Sequence, residues 1–210
     1  MASAILIAIL SYALGSIPFS LIISRVRRGI DIREYGSKNA GFTNVYRVIG
    51  PLPALMVLIL DVAKGMAAVL LVTRISLGSA HLDPINLKII AGICVVVGHV
   101  FPIFFGFRGG KGILAALGAL LSLIPVEMGM SLILFVLIVA ITRYVSLGSL
   151  SATVFILFAL LFEKYYLGSQ VPGQLIAMMA FLTIFIFFNH RSNIKRLLAG
   201  TENKFRRKGL

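Results

Sequence analysis

Apolar residues run for about twenty positions at a time along this chain, separated by short polar stretches rich in glycine, serine and charged side chains. A helix rises about 1.5 Å per residue, so roughly 20 apolar residues cross a hydrocarbon layer about 30 Å thick. The pattern predicts membrane-crossing helices at 2–24, 52–73, 85–105, 148–162 and 173–189. The stretch 112–142 would extend about 46 Å as one helix, too long for one crossing and too short for two full ones. Pro125 and Glu127 near its centre predict a break there. The first apolar run lacks a basic start and is too long for a cleaved signal peptide, so it is expected to remain as a helix. With no sustained repeat, linker or low-complexity tract, residues 1–210 are read as a single domain.

The distribution of Lys and Arg decides the number of crossings. With a break near Pro125, the segments 25–51, 106–111 and 143–147 and the tail from 190 hold 16 cations, and the alternate segments hold 3 when Lys88, at the start of its span, is counted with the loop it adjoins. Without the break the two sides are nearly equal, which leaves no bias. Cytoplasmic loops retain Lys and Arg. The predicted fold is therefore an all-α polytopic membrane protein with seven transmembrane helices, some of them short, the N-terminus outside and the C-terminus cytoplasmic.

Composition supports that class. The chain is 59% hydrophobic and 13% charged, with mean hydropathy +1.02, which excludes an ordinary soluble globular domain. Its formal charge of +13 favours an anionic partner, phosphates first, although topology alone also concentrates cations in loops. The single cysteine, Cys94, lies in an apolar run, giving no disulfide framework or CxxC metal site. It is expected to pack.

Four polar loops, "YGSKNAGFTNVYR", "GFRGGKG", "RYVSLGS" and "NHRSN", fall on the cytoplasmic face of this topology and are read as one site. In the first, Gly36 and Gly41 permit positive φ, which can aim successive N–H groups at an anion; Ser37, Asn39, Thr43 and Asn44 add neutral hydrogen-bonding groups. Arg47 can grip a phosphate through two parallel hydrogen bonds. A helix N-cap followed by a snorkelling arginine is the alternative. In the second loop, Gly109, Gly110, Lys111 and Gly112 open an apolar helix, where N–H groups and the dipole favour an anion. A glycine hinge with a surface lysine would also explain them. They are not a Walker A motif, because Phe105 stands at the first glycine position and no Ser or Thr follows Lys111. Nucleotide hydrolysis is not expected.

Asp61 and Lys64 lie three apart inside the second span and are read as a mutually neutralising pair with a packing role. His99 and His190 lie at cytoplasmic helix ends, and either could be a capping residue. His190 is the stronger site candidate, with Asn193 one turn away. Glu202, among basic residues of the tail, is expected to pair with a cation.

"GSKNAGFTNVYRVIG", "GHVFPIFFGFRGGKG", "RYVSLGSLSA" and "NHRSNIKRLLAGTE", in this order on about 200 residues, resemble the bacterial acyl-phosphate:glycerol-3-phosphate acyltransferases. The resemblance implies transfer of a fatty acyl group from acyl phosphate to the 1-hydroxyl of glycerol 3-phosphate in the bacterial cytoplasmic membrane, with the active site facing the cytoplasm. The expected partners are those two substrates and membrane lipids, with no nucleic acid, cofactor or metal. It further implies that Ser37 and Arg47 bind and position glycerol 3-phosphate, with Asn39, Thr43 and Asn44 shaping the loop. Gly109, Gly110, Lys111 and Gly112 would hold acyl phosphate, with Ser146, His190 and Asn193 lining the pocket. His99, apart from the resemblance, is a further substrate-binding candidate. The resemblance departs at Lys38, where the family's Gly-Ser-Gly-Asn carries a second glycine, and at Phe42, Arg108 and Ala115. The family's contacts are not assigned to Arg108 or Ala115. A transporter of organic phosphate is the competing class, yet it calls for repeated halves and interrupted helices, and neither is evident.

Overall fold

A computed structural model describes residues 2–75 and 83–205, and these are helical and irregular with no strand among them. Expectations for an outer loop at 76–82 and for the last five tail residues lie outside the described residues. Helix starts follow local chemistry. Pro51, Pro84 and Pro125 each stand in the first turn of a helix, where a missing N–H costs nothing, and the Asp83 carboxylate accepts from Ile85 N at 3.1 Å.

The chain divides into two compact units. The first, up to Leu123, contains α1 (Ala2–Gly15), α2 (Phe19–Arg28), α3 (Phe42–Val48), α4 (Pro51–Leu70), α5 (Pro84–Val100) and α6 (Ile113–Leu121). The second, Ile124–Phe205, contains α7 (Pro125–Thr142), α8 (Val145–Tyr165), α9 (Gly173–Asn189) and α10 (Arg191–Leu198).

Among the described residues, five stretches are long and apolar enough to cross a membrane: Ala2–Arg28, Pro51–Arg74, Pro84–Phe105, Pro125–Thr142 and Val145–Tyr165. Taken together, α9 and α10, which meet at a 63° bend, make a sixth. Large apolar side chains such as Ile141 and Ile184 are exposed at 82% and 72%, as a chain solvated by lipid allows. The break expected near Pro125 lies between Leu121 and Pro125. On its N-terminal side, α6 has only nine residues, about 13.5 Å of helix, less than half a hydrocarbon thickness.

Two reciprocal glycine contacts set the packing of the first unit. A Cβ on Gly15 would collide with the Val95 carbonyl, and one on Gly98 would collide with the Tyr12 carbonyl and lie 3.0 Å from Ser16 N, so α1 and α5 approach to backbone contact. Gly65 and Gly118 do the same between α4 and α6, against Ala115 and Val62. Such close approach is how helices gain dispersion energy where lipid removes the hydrophobic drive.

Candidate functional site

The candidate residues fall into two groups, one in each unit. In the first unit, the Asp31 carboxylate caps a short 3-10 turn, Ile32–Glu34, by accepting from Arg33 N at 3.0 Å. Fully buried Ile32 anchors the turn to the core. The chain then reverses through Gly36 at φ +60° and Lys38 at φ +58°. Gly36 is required: a Cβ there would meet Asn44 Oδ1 and lie 2.9 Å from a Val48 methyl. Gly41, expected at positive φ, is instead extended at φ −158° and caps α3, because its carbonyl must accept from Asn44 N and Val45 N to start the helix.

Asn44 organises this loop. Its Oδ1 accepts from Ser37 N at 2.9 Å, and its Nδ2 donates within 3.0 Å of the carbonyls of Ile32, Tyr35 and Asn39. A carboxamide has two donor hydrogens, and both are taken up by backbone carbonyls around this 1% exposed side chain. Asn44 therefore shapes the loop, the part the resemblance implied for it. Ser37 is left exposed on the outside of the turn, Asn39 and Thr43 are half-buried beside it, and Arg47 lies buried in the last turn of α3.

The glycine loop adjoins it. Gly109 N donates to Val100 O at 3.0 Å and Gly110 N to His99 O at 3.1 Å. These two amides thus do not aim at an anion as expected; their hydrogens are committed to the end of α5. Glycine is needed there for space. A Cβ on Gly109 would collide with the His99 carbonyl, and one on Gly110 would collide with His99 Nε2 and stand 2.7 Å from Ala40 O. Ala40 belongs to the first loop, so the two loops touch at Gly110. Gly112, at φ +88°, caps α6, whose first-turn N–H groups have no acceptor within the helix, and Lys111 precedes it half-exposed.

Beneath this junction lies a buried charged cluster. Lys64 Nζ is 2.7 Å from Asp61 Oδ1 and donates to Ile17 O at 2.8 Å, so the pair ties α4 to the α1–α2 break. His99 Nδ1 stands 3.5 Å from the same Asp61 oxygen. His99 is 7% exposed, with its other ring nitrogen under Gly110. It supports the glycine loop from below.

In the second unit, Ser146 Oγ and Asn193 Nδ2 donate to Glu202 Oε1 at 2.9 and 2.6 Å, and Arg196 Nε donates to Oε2 at 2.7 Å. The cation expected for Glu202 is Arg196, whereas its two neutral donors, Ser146 and Asn193, had been expected to line a pocket. Burial pushes the Glu202 carboxyl up, but the hydrogen bonds from Asn193, Arg196 and Ser146 outweigh it and hold the group below the usual carboxylate range. His190, 2% exposed at the α9–α10 bend, directs Nδ1 to Ile186 O at 2.8 Å. A carbonyl only accepts, so Nδ1 carries the hydrogen.

Sequence reading missed Asp31 and Arg33. Arg33 binds Asp31 through Nε and Nη2 and donates from Nη1 to Phe105 O at 3.0 Å and Arg108 O at 3.3 Å. These residues sit in a basic run that looked like an ordinary cytoplasmic flank.

A family model described as glycerol-3-phosphate acyltransferase matches residues 5–200. The chain is 43% identical over 210 residues to a protein of that name from Clostridioides difficile, covering 98% of this chain and 97% of the other. It is 39% identical over 221 residues to one from Chlorobaculum tepidum, covering 94% of each. It also superposes, with TM-score 0.85 and 35% identity over 97% of this chain and 96% of that one, on the crystal structure of PlsY (YgiH), an integral membrane glycerol 3-phosphate acyltransferase in its glycerol 3-phosphate form. A second structure of the same enzyme, in its lysophosphatidic acid form, has TM-score 0.83.

Proposed function

The chain belongs to the glycerol-3-phosphate acyltransferase family, and from that premise we propose that it transfers a fatty acyl group from acyl phosphate to the 1-hydroxyl of glycerol 3-phosphate. The products are lysophosphatidic acid and inorganic phosphate. The observation that carries this reading is the contact of the two phosphate-suited loops of the first unit, Ala40 against Gly110, with Arg47 rooted in one and Lys111 in the other. Arg47 holds the acceptor's phosphate and Ser37 positions its glycerol end. Lys111 and the first-turn N–H groups of α6 stabilise charge on the departing phosphate.

Acyl phosphate is a mixed anhydride with phosphate as leaving group, so a phosphate oxygen can take the proton as the hydroxyl attacks. No side chain then has to be an indispensable base. His99, enclosed between Asp61 and Gly110, is poorly placed for that work. The family model crosses both units, which supports one acyltransferase domain. We take α6 as a short seventh crossing, with the N-terminus outside and the loops holding 16 of the cations in the cytoplasm.

Purified protein in lipid vesicles is expected to convert palmitoyl phosphate and glycerol 3-phosphate into lysophosphatidic acid. Arg47→Ala and Lys111→Ala are each expected to lower the rate by more than about a hundredfold, since charged hydrogen bonds in a partly desolvated site exceed screened contacts. Near-normal rates in either folded variant would overturn the assignment. A fall in kcat of about a thousandfold in His190→Ala, with loss of an ionisation near about pH 6.5, would make that histidine the base.

A further inference from the structure

The two loops of the first unit are joined by a side chain, Arg33, as well as by their contact. Arg33 opens the acceptor loop, 72 residues before Phe105, and its planar guanidinium works in two directions. One edge grips Asp31, with Nε 3.0 Å from Oδ1 and Nη2 2.7 Å from Oδ2. Its remaining terminal nitrogen, Nη1, takes the carbonyls of Phe105 and Arg108. Asp31 in turn is fixed by Arg33 N and by Arg25 Nη2 at 3.5 Å.

Between the two gripped carbonyls lie Gly106 at φ +69° and Phe107 at φ +56°. Consecutive left-handed residues, one of them an aromatic, persist only where surroundings hold them. Arg33 supplies two of the bonds that do so, on either side of the turn. Gly109 follows immediately, and its amide and that of Gly110 are pinned to α5.

We infer that Arg33 is a positioning residue for acyl transfer: with Asp31, it sets the register of the donor loop around Lys111 against the acceptor loop around Ser37 and Arg47. This rests on the substrate assignment above. Each loop has its own internal frame, Asn44 in one and the bonds of Gly109 and Gly110 in the other. Loss of Arg33 therefore leaves each phosphate's binding largely intact and spoils the alignment of hydroxyl with acyl carbon. Misplacement of about 1 Å costs on the order of a hundredfold in rate.

The test measures kcat, both KM values and the thermal midpoint for the full chain in lipid vesicles, with Arg33→Ala, Arg33→Lys and Asp31→Asn. Arg33→Ala is expected to lower kcat by about ten- to a hundredfold while the KM for glycerol 3-phosphate moves by less than about twofold. Arg33→Lys is expected to fall nearly as far, because one ammonium cannot reproduce the guanidinium's planar fork. Asp31→Asn, which keeps the shape but not the charge, falls less. An unchanged kcat in folded Arg33→Ala, full recovery with lysine, or a loss confined to KM would overturn the inference. Should Arg33→Ala fail to fold, the kcat of Arg33→Lys decides by the same criteria. Intact kcat in the Arg33 variants beside inactive Arg47→Ala and Lys111→Ala refutes only the clamp; active Arg47→Ala and Lys111→Ala refute the substrate assignment itself.

Discussion

Lys38 holds a backbone conformation, φ +58°, at the position where the family's motif has a second glycine. This is a left-handed geometry, which an L side chain adopts at a cost of about 1–2 kcal/mol. Glycine would remove this cost but loosen the unfolded chain by roughly 0.5–1 kcal/mol. Lys38→Gly is therefore expected to raise the thermal midpoint in detergent by a few degrees at most, with activity retained, and Lys38→Val to lower it. Glu202 titrates in the opposite sense to a strengthened base. Its folded value lies below the ordinary carboxylate value, so its contribution to stability is fully present above that ordinary value and is lost as pH falls through the folded one. Thermal midpoints of the parent and Glu202→Gln are expected to differ at neutral pH and to converge under acid. A constant difference down to about pH 3 would contradict the hydrogen-bond arrangement.

At the scale of elements, the helices were legible because lipid demands apolar residues along whole crossings, and the break at Pro125 because proline starts helices. The length of α6 was not legible: its apolar run is continuous with the next, and only the turn at Ser122–Ile124 ends it. Nor were the glycine contacts. A glycine in an apolar run reads the same whether it faces lipid or a neighbouring backbone, and only the fold distinguishes Gly98 and Gly118, in backbone contact, from Gly129, with open space around it. Gly98→Leu and Gly118→Leu are expected to abolish folded protein, and Gly129→Leu to be tolerated, as size-exclusion profiles in detergent will show. In the site, the polar loops were visible as composition, but their partners were not. Ser146 and Glu202 are 56 residues apart, and nothing local marks one as the other's ligand.

For the molecule as a whole, sidedness is the claim most open to test. A cysteine placed at Ser37 or Ser192 is expected to react with an impermeant reagent from the cytoplasmic side alone, and one at Ser169 from the outside, in a background lacking Cys94. All three positions are exposed in the structure. Labelling of all three from one side would refute seven crossings. Asn44 bears on how the enzyme's overall kinetics are interpreted. The side chain that shapes the acceptor loop carries no charge at any working pH, and its four partners are peptide groups. Ionic strength has little hold on such a frame. Under the proposed assignment, the dependence of turnover on salt then reports the charged contacts of Arg47 and Lys111 with the substrates, undistorted by the cradle changing shape.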